Sequence, residues 1–141
     1  MENYCVYQDR CHKEVEQKLY DLKMIPEAKE KIILHLMQHN FLNEERFAKA
    51  FVRGKFSIKK WGKIRIVNEL KFKNISAYNI KTGLKEIDEL DYKKTLYALA
   101  EKKQATIKES NPYKKTAKLS TYLISRGFES NLVYEIAKEL S

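Results

Sequence analysis

The sequence predicts an all-α protein of about three tandem three-helix repeats, the last one truncated, stacked into an elongated, curved array. Its 141 residues include only four Gly and two Pro, so long stretches are free of helix breakers. Apolar residues recur at helical spacing along the chain. Similar helical segments also return with a period of about fifty residues.

The first repeat is expected over residues 11–56, after an N-terminal arm of residues 1–10. Its helices are predicted over 13–23, from Pro26 to Phe41, and from Asn43 onward. Pro26 suits a first helical position because that position needs no N–H donor. The apolar faces of the first two helices contain Val15, Leu19, Leu22, Ile32, Ile33, Leu36 and Met37.

The helix that begins near Asn43 carries the clearest start signal in the chain. Asn43 can cap it, and Glu44 and Glu45 lie where the helix dipole favours negative charge. Phe47 and Phe51 are four residues apart, so they share a face that we expect to be buried.

The second repeat is expected over residues 57–109, with helices over 62–73, 77–89 and 92–108. The proposed caps of its last two helices are Ser76 and Asp91. The apolar stripe of its first helix is predicted to be Ile64, Val67 and Leu70.

The third repeat is expected over residues 110–141 and has two helices. Asn111 and Pro112 provide a cap and a first-turn proline, Gly127 ends the first helix, and Ser130 starts the second. The repeats align with one another, because Leu70–Ile75 has the same spacing as Leu123–Phe128, and residues 42–51 run parallel to 90–99.

The charge balance favours an anionic partner. Lys and Arg total 28 against 19 Asp and Glu, which gives a net charge of +9 and fits nucleic acid or an acidic protein groove. No apolar run approaches a membrane-spanning length, and the N-terminus lacks the apolar core of a signal peptide. We therefore expect a cytoplasmic protein without a membrane partner, and we separately expect a monomer.

The sequence gives little support to a metal site, a cofactor or catalysis. Cys5 and Cys11, with His12 beside the second, lack the paired spacings of a zinc site, and His35 and His39 have no complete set of partners. Phosphate-loop, nucleophile-elbow and zinc-protease motifs are absent from the sequence. We expect no cofactor, no metal and no catalytic residues.

The sharpest charge asymmetry lies between Arg53 and Lys73, where Glu69 is the only acid. Clustered cations with an interleaved aromatic residue are typical of surfaces that contact phosphates and stack on bases or partner side chains. The candidate partner-binding or DNA-binding residues are Arg53, Lys55, Lys59, Lys60, Trp61, Lys63, Arg65, Lys71 and Lys73. Phe56 and Trp61 could instead be core residues.

Three other features favour structural interpretations. A second basic set is expected to be an ordinary solvated connection; it consists of Lys102, Lys103, Lys108, Lys114, Lys115 and Lys118. Arg46 is expected to form an ion pair within the protein. Gly62 is expected to allow helix entry or close packing, since no phosphate-loop pattern surrounds it.

Residues 41–53 and 62–75 together resemble the RecX regulatory protein family. The matching positions are Arg46, Phe47, Ala48, Phe51, Arg53, Gly62, Glu69 and Leu70. Asn43-Glu44 stands where that family usually has Asp-Asp, a departure that preserves the capping chemistry.

The resemblance implies three tandem three-helix repeats that bind the bacterial RecA recombinase. RecX proteins lie in the groove of RecA filaments on DNA and suppress strand exchange, ATP hydrolysis and coprotease activity, so the resemblance implies a role in DNA repair, recombination and the SOS response. A regulator of this kind is compatible with weak direct DNA binding. Two other classes stay open: a stand-alone nucleic-acid-binding protein, which would bind DNA tightly without a recombinase, and a helical-repeat adaptor for another acidic protein.

Overall fold

The computed structural model describes residues 1–140, and all regular secondary structure in this range is α-helical. The nine helices of the described range are α1 (Glu2–Tyr7), α2 (His12–Asp21), α3 (Pro26–Gln38), α4 (Glu44–Ser57), α5 (Lys63–Phe72), α6 (Ala77–Leu84), α7 (Glu89–Gln104), α8 (Pro112–Ser125) and α9 (Ser130–Leu140). The predicted class of tandem helical repeats is confirmed. Helix α1 lies within the predicted arm.

Side-chain caps start four of these helices. The Asn43 side chain accepts a hydrogen bond from the N–H of Arg46 at 2.9 Å, and Ser76 accepts one from Asn79 at 3.2 Å. Asn111 caps α8 in the same way, so these three predicted caps are confirmed.

The predicted cap at Asp91 is wrong. Helix α6 ends at Leu84, and a turn follows it. The Asp88 carboxylate then accepts a hydrogen bond from the N–H of Asp91 at 3.2 Å. Helix α7 therefore begins at Glu89, about one turn earlier than expected.

Most helix ends share one backbone motif, in which a residue in the left-handed region closes the last turn. The residues with positive φ are Lys23, Asn40, Lys60, Asn74 and Gly127. In this motif the N–H of Ile75 donates to the carbonyl of Leu70 at 3.1 Å, and the N–H of Phe128 donates to that of Leu123 at 3.3 Å. The repeated five-residue spacing in the sequence is therefore the signature of this helix end.

The chain divides into two compact units. The first unit comprises Met1–Val52 and Glu69–Glu86. One of its core clusters contains Cys5, Val15, Leu19, Leu36 and Leu42. Gly83 lies close to α4, because a Cβ there would be 3.1 Å from the carbonyl oxygen of Ala48.

The second unit comprises Arg53–Asn68 and the residues from Ile87 onward. Helices α7, α8 and α9 pack against one another pairwise and form a three-helix bundle. Its fully buried side chains include Ile66, Tyr92, Leu96, Leu123, Phe128 and Val133.

The predicted apolar stripe of α5 is partly wrong. Ile66 and Leu70 are fully buried, whereas Ile64 is 45% exposed. Residues two positions apart point to nearly opposite sides of a helix, so burial of Ile66 turns Ile64 outward. In α4, Phe47 is buried as expected and Phe51 is half-buried, with ring centroids 5.7 Å apart.

The helices of the described residues are all too short or too polar to cross a membrane.

Candidate cationic and aromatic site

The connector between α4 and α5 folds back on the end of α4. Lys60 has a φ of 57°, in the left-handed region. The N–H of Lys60 donates to the carbonyl of Phe56 at 3.1 Å, and the N–H of Trp61 donates to that of Lys55 at 3.0 Å. This helix end holds Trp61 beside the last turn of α4.

Trp61 lies between two cations. The Lys55 ammonium is 5.0 Å from its ring centroid, and the Arg65 guanidinium is 4.1 Å from it. All three side chains are half-buried. A cation over an aromatic face is attracted by the quadrupole of the ring. This interaction typically contributes about 0.5 to 1 kcal/mol at exposed sites. We call Lys55, Lys59, Lys60, Trp61 and Arg65 the Trp61 cluster.

Arg126 supports this cluster from the end of α8. Its guanidinium donates to the carbonyl of Lys59 and, at 3.2 Å, to that of Lys60. The side chains of Lys59 and Lys60 are exposed. Arg126 was not among the predicted site residues, because it lies more than sixty residues along the chain from the connector and no local sequence pattern marks it.

Gly62, directly before α5, lies against the backbone of the α8–α9 turn. Its N–H donates to the carbonyl of Arg126, and the N–H of Ile64 donates to that of Gly127, both at 2.9 Å. A Cβ on Gly62 would lie 2.2 Å from the carbonyl carbon of Gly127. The glycine is therefore required for close packing, one of the two roles predicted for it.

Lys63 has contacts within the second unit. Its ammonium pairs with Glu89 and lies 4.6 Å from the ring centroid of Tyr92. Its backbone N–H donates to the Tyr92 hydroxyl at 2.9 Å. Glu89 offsets the charge of Lys63, so this predicted site residue helps to hold α5 on α7.

Tyr92 is the buried centre of this region. Its hydroxyl donates to the Glu129 carboxylate, and its ring centroid is 5.8 Å from that of Phe56 and 5.4 Å from that of Phe128. Burial first, and then the hydrogen bond to Glu129, raises the pKa of the Tyr92 hydroxyl well above its ordinary value. Phe56 therefore packs on the aromatic core, while Trp61 lies among cations.

The remaining predicted site residues lie elsewhere. Arg53 is exposed at the start of the second unit. Lys71 and Lys73 belong to the first unit, where the Lys73 ammonium is 6.0 Å from the Phe51 ring centroid. In the same unit, the Lys13 ammonium donates to the Phe72 carbonyl at 2.9 Å and lies 3.9 Å from the Phe72 ring centroid.

Two lysines of the second basic set have local contacts. Lys118 pairs with Glu109 at 3.4 Å, and the Lys103 ammonium is 4.7 Å from the Tyr122 ring centroid. Hydrogen bonds hold the pKa of the Glu109 carboxyl below its ordinary value. The largest effect comes from the backbone N–H of Asn111, and the next from the side chain of Lys118.

Arg46 pairs within the first unit. Its guanidinium contacts the Asp9 carboxylate at 2.5 Å and donates to the carbonyl of Phe41 at 3.2 Å. These contacts tie the segment after α1 to the start of α4, so Arg46 forms an ion pair within the protein, as predicted.

The cysteine and histidine side chains have separate partners. Cys5 and Cys11 are free and buried, and burial is the main cause that raises the pKa of both thiols. His12 contacts Glu16 at 3.2 Å, and His35 contacts Glu2 at 2.9 Å. Residues 1–140 contain no group of three such side chains placed to hold a metal ion.

The fold and site together define a helical-repeat protein with a cationic aromatic surface. Two family models match the chain: the second three-helix domain of RecX over residues 43–84 and the third over residues 91–136. Both begin one residue after the start of the internal alignment of 42–51 with 90–99. The predicted repeat boundaries near residues 11, 57 and 110 begin the repeats at other helices than the family models do. These boundaries stay a prediction.

Relatives in several bacteria carry the same description. The regulatory protein RecX of Finegoldia magna is 31% identical, and the alignment covers 99% of this chain and 67% of that protein. The RecX of Clostridium botulinum strain Alaska E43 is 32% identical over 92% of this chain. The chain spans 62% and 61% of the lengths of the RecX proteins from Clostridium perfringens strain 13 and Clostridium botulinum strain Alaska E43.

Solved structures agree with this assignment. The crystal structure of RecX from Lactobacillus salivarius has a TM-score of 0.84 and 27% sequence identity, and the match covers 98% of this chain and 90% of that one. A second RecX crystal structure, at 23% identity, has the same fold with a TM-score of 0.86 over 97% of this chain. The chain belongs to the RecX family of regulatory proteins.

Proposed function

We propose that this protein binds the RecA recombinase, and the filament that RecA forms on single-stranded DNA, and inhibits its recombinase, ATPase and coprotease activities during DNA repair and the SOS response. The chain belongs to the RecX family, and the Trp61 cluster is the structural observation that supports this proposal. It presents exposed cations beside an aromatic ring on a connector that hydrogen bonds hold in place.

The chemistry of the Trp61 cluster suits an anionic groove. The side chains of Lys59 and Lys60 are exposed. Their ammonium groups can therefore pair with the phosphates or carboxylates of a partner. Trp61 offers a large, rigid contact surface of the kind that dominates binding energy at interfaces. The net charge of +9 adds long-range attraction, which speeds association and makes it sensitive to salt. The protein then acts by occupancy, without chemistry of its own.

The first test is ATP hydrolysis by the cognate RecA on single-stranded DNA. We expect the protein to lower the steady-state rate in a saturable, salt-sensitive manner. An unchanged rate at saturating protein would overturn the proposal.

A charge-reversal pair locates the surface. Lys59→Glu with Lys60→Glu should weaken inhibition about tenfold or more, because it replaces two attractive charges with repulsive ones. The matched control is Lys81→Glu with Lys85→Glu, which makes the same change at two exposed lysines of the first unit. Equal inhibition by both variants would move the binding surface away from the Trp61 cluster.

A stand-alone nucleic-acid-binding protein is the second candidate, and the net charge of +9 is the observation that favours it. Trp61 is the only tryptophan of the chain, so its fluorescence can report binding to bare strands, and co-sedimentation with RecA-coated strands under identical salt gives the comparison. The regulator should prefer the coated strands. Equal or tighter binding to bare strands would favour the second candidate.

A further inference from the structure

A cleft between α7 and α9 has chemistry opposite to that of the Trp61 cluster. It belongs to the second unit and has a volume of about 390 Å³. Its apolar lining comes from Leu96, Tyr97, Ala98, Leu132 and Ile136. Tyr97 is 39% exposed. Two packed helices therefore leave an apolar furrow open to solvent.

The cleft carries opposite charges at its two ends. The Gln104 side chain donates to the carbonyl of Leu140, which sets the last turn of α7 beside the last turn of α9. Glu101 and Glu139 therefore lie toward the same end of the cleft. Both raise the pKa of the Tyr97 hydroxyl, and the charge of Glu101 is the largest cause. Lys93 and Lys94 lie toward the other end, near the start of α7.

The acidic side is not neutralised internally. Glu101, Glu135 and Glu139 line the cleft, and none of them forms an ion pair with a lysine or arginine of residues 1–140. Three carboxylates beside an apolar furrow stand out in a chain with a net charge of +9. The acidic side of the cleft can therefore pair with cations, although the protein as a whole is cationic.

We propose that this α7–α9 cleft is a docking site for a cationic amphipathic helix of a partner protein. The apolar stripe of such a helix would pack on Leu132 and Ile136, as helices pack ridges into grooves. Its lysine or arginine side chains would pair with Glu135 and Glu139 and approach the Tyr97 ring, which can also attract a cation. The site is separate from the Trp61 cluster, so it does not depend on the proposed function.

The test uses the whole protein and a synthetic probe. The probe is a fluorescently labelled Leu/Lys amphipathic peptide of about 16 residues, which matches the length of one helix of the cleft. Fluorescence anisotropy should show saturable binding that weakens as salt rises. A Leu/Glu peptide of the same length and pattern should not bind.

Charge reversal on α9 tests the acidic side. Glu135→Lys with Glu139→Lys should raise the Kd for the Leu/Lys peptide at least about tenfold, since both pairs become repulsive. Cations near a helix C-terminus are favourable, so α9 should persist. The matched control is Glu16→Lys with Glu30→Lys, two exposed positions of the first unit, and it should leave the Kd within about twofold of the unmodified protein.

A second variant tests the apolar furrow without a charge change. Ala98 is exposed on α7 and lines the cleft, so Ala98→Phe should block the furrow and weaken peptide binding without touching the core. The same Kd in the unmodified protein, the α9 variant and Ala98→Phe would overturn the proposal. Sedimentation showing self-association that only the cleft variants abolish would also overturn it, because the occupant would then be a second copy of the chain.

Discussion

Gly62 and Gly127 meet backbone to backbone, although 65 residues separate them in the sequence. A Cβ on Gly62 would lie 2.2 Å from the carbonyl carbon of Gly127. Gly127 has a φ of 99°, and a Cβ there would lie 2.3 Å from the Cβ of Arg65. The start of α5 and the α8–α9 turn therefore interlock, and this contact positions the connector that carries Trp61.

Gly62→Ala should destabilise the protein by about 3 kcal/mol, because the new methyl group overlaps backbone atoms that have little room to move. Urea unfolding followed by circular dichroism measures the change. The matched control is Gly54→Ala within α4, where a Cβ would meet nothing within 4 Å. It should stabilise the protein by about 0.5 to 1 kcal/mol through helix propensity. Equal effects of the two substitutions would contradict the interlock.

Tyr92→Phe should destabilise the protein by about 1 to 3 kcal/mol. The substitution leaves the backbone N–H of Lys63 and the Glu129 carboxylate without the hydroxyl, while the ring keeps its contacts with Phe56 and Phe128. Tyr113→Phe is the control, because Tyr113 is 87% exposed. A loss of less than about 0.5 kcal/mol would show that the hydroxyl contributes little.

Tyr92 should also make stability depend on alkaline pH. Because its folded pKa is raised, its contribution is fully present below the unfolded value of about 10 and declines as pH rises above it. Urea unfolding at several values between about pH 8 and 11 should show a shallower decline for Tyr92→Phe than for the unmodified protein. Identical slopes would contradict this assignment.

Arg46→Ala should reduce stability by about 1 kcal/mol, since it removes a partly exposed pair with Asp9 and a hydrogen bond to the Phe41 carbonyl. Arg46→Lys keeps the charge but loses the planar fork, so it should recover only part of the loss. At temperatures where both variants are folded, inhibition of RecA should match that of the unmodified protein. Selective loss of inhibition with full stability would indicate a partner contact instead.

Cys5 and Cys11 should react slowly with a thiol reagent in the native protein. Both are buried, and burial raises the pKa of each thiol, so little thiolate is present near neutral pH. Dithionitrobenzoate should titrate both thiols within seconds in concentrated urea but over minutes or longer without it. Rapid native labelling would show that the segment holding α1 and the start of α2 opens readily.

The sequence alone determined the helices from α2 onward and most of their starts. Asn43, Ser76 and Asn111 cap helices as predicted, because a cap needs only its own side chain and the next few backbone N–H groups. The five-residue spacing in Leu70–Ile75 and Leu123–Phe128 was also readable, since the helix end that it marks is a local motif. Such features depend on neighbours in the chain and so leave a pattern.

Only the tertiary structure decided which side chains surround Trp61 and which face of α5 is buried. Arg126 reaches the carbonyls of Lys59 and Lys60, and the Lys63 ammonium pairs with Glu89. Ile64 and Ile66 are equally apolar, so composition could not choose between them; the packing at the start of α5 turned Ile66 inward. Contacts between residues distant in the sequence depend on how the helices meet, and a single chain records no local signal for that geometry.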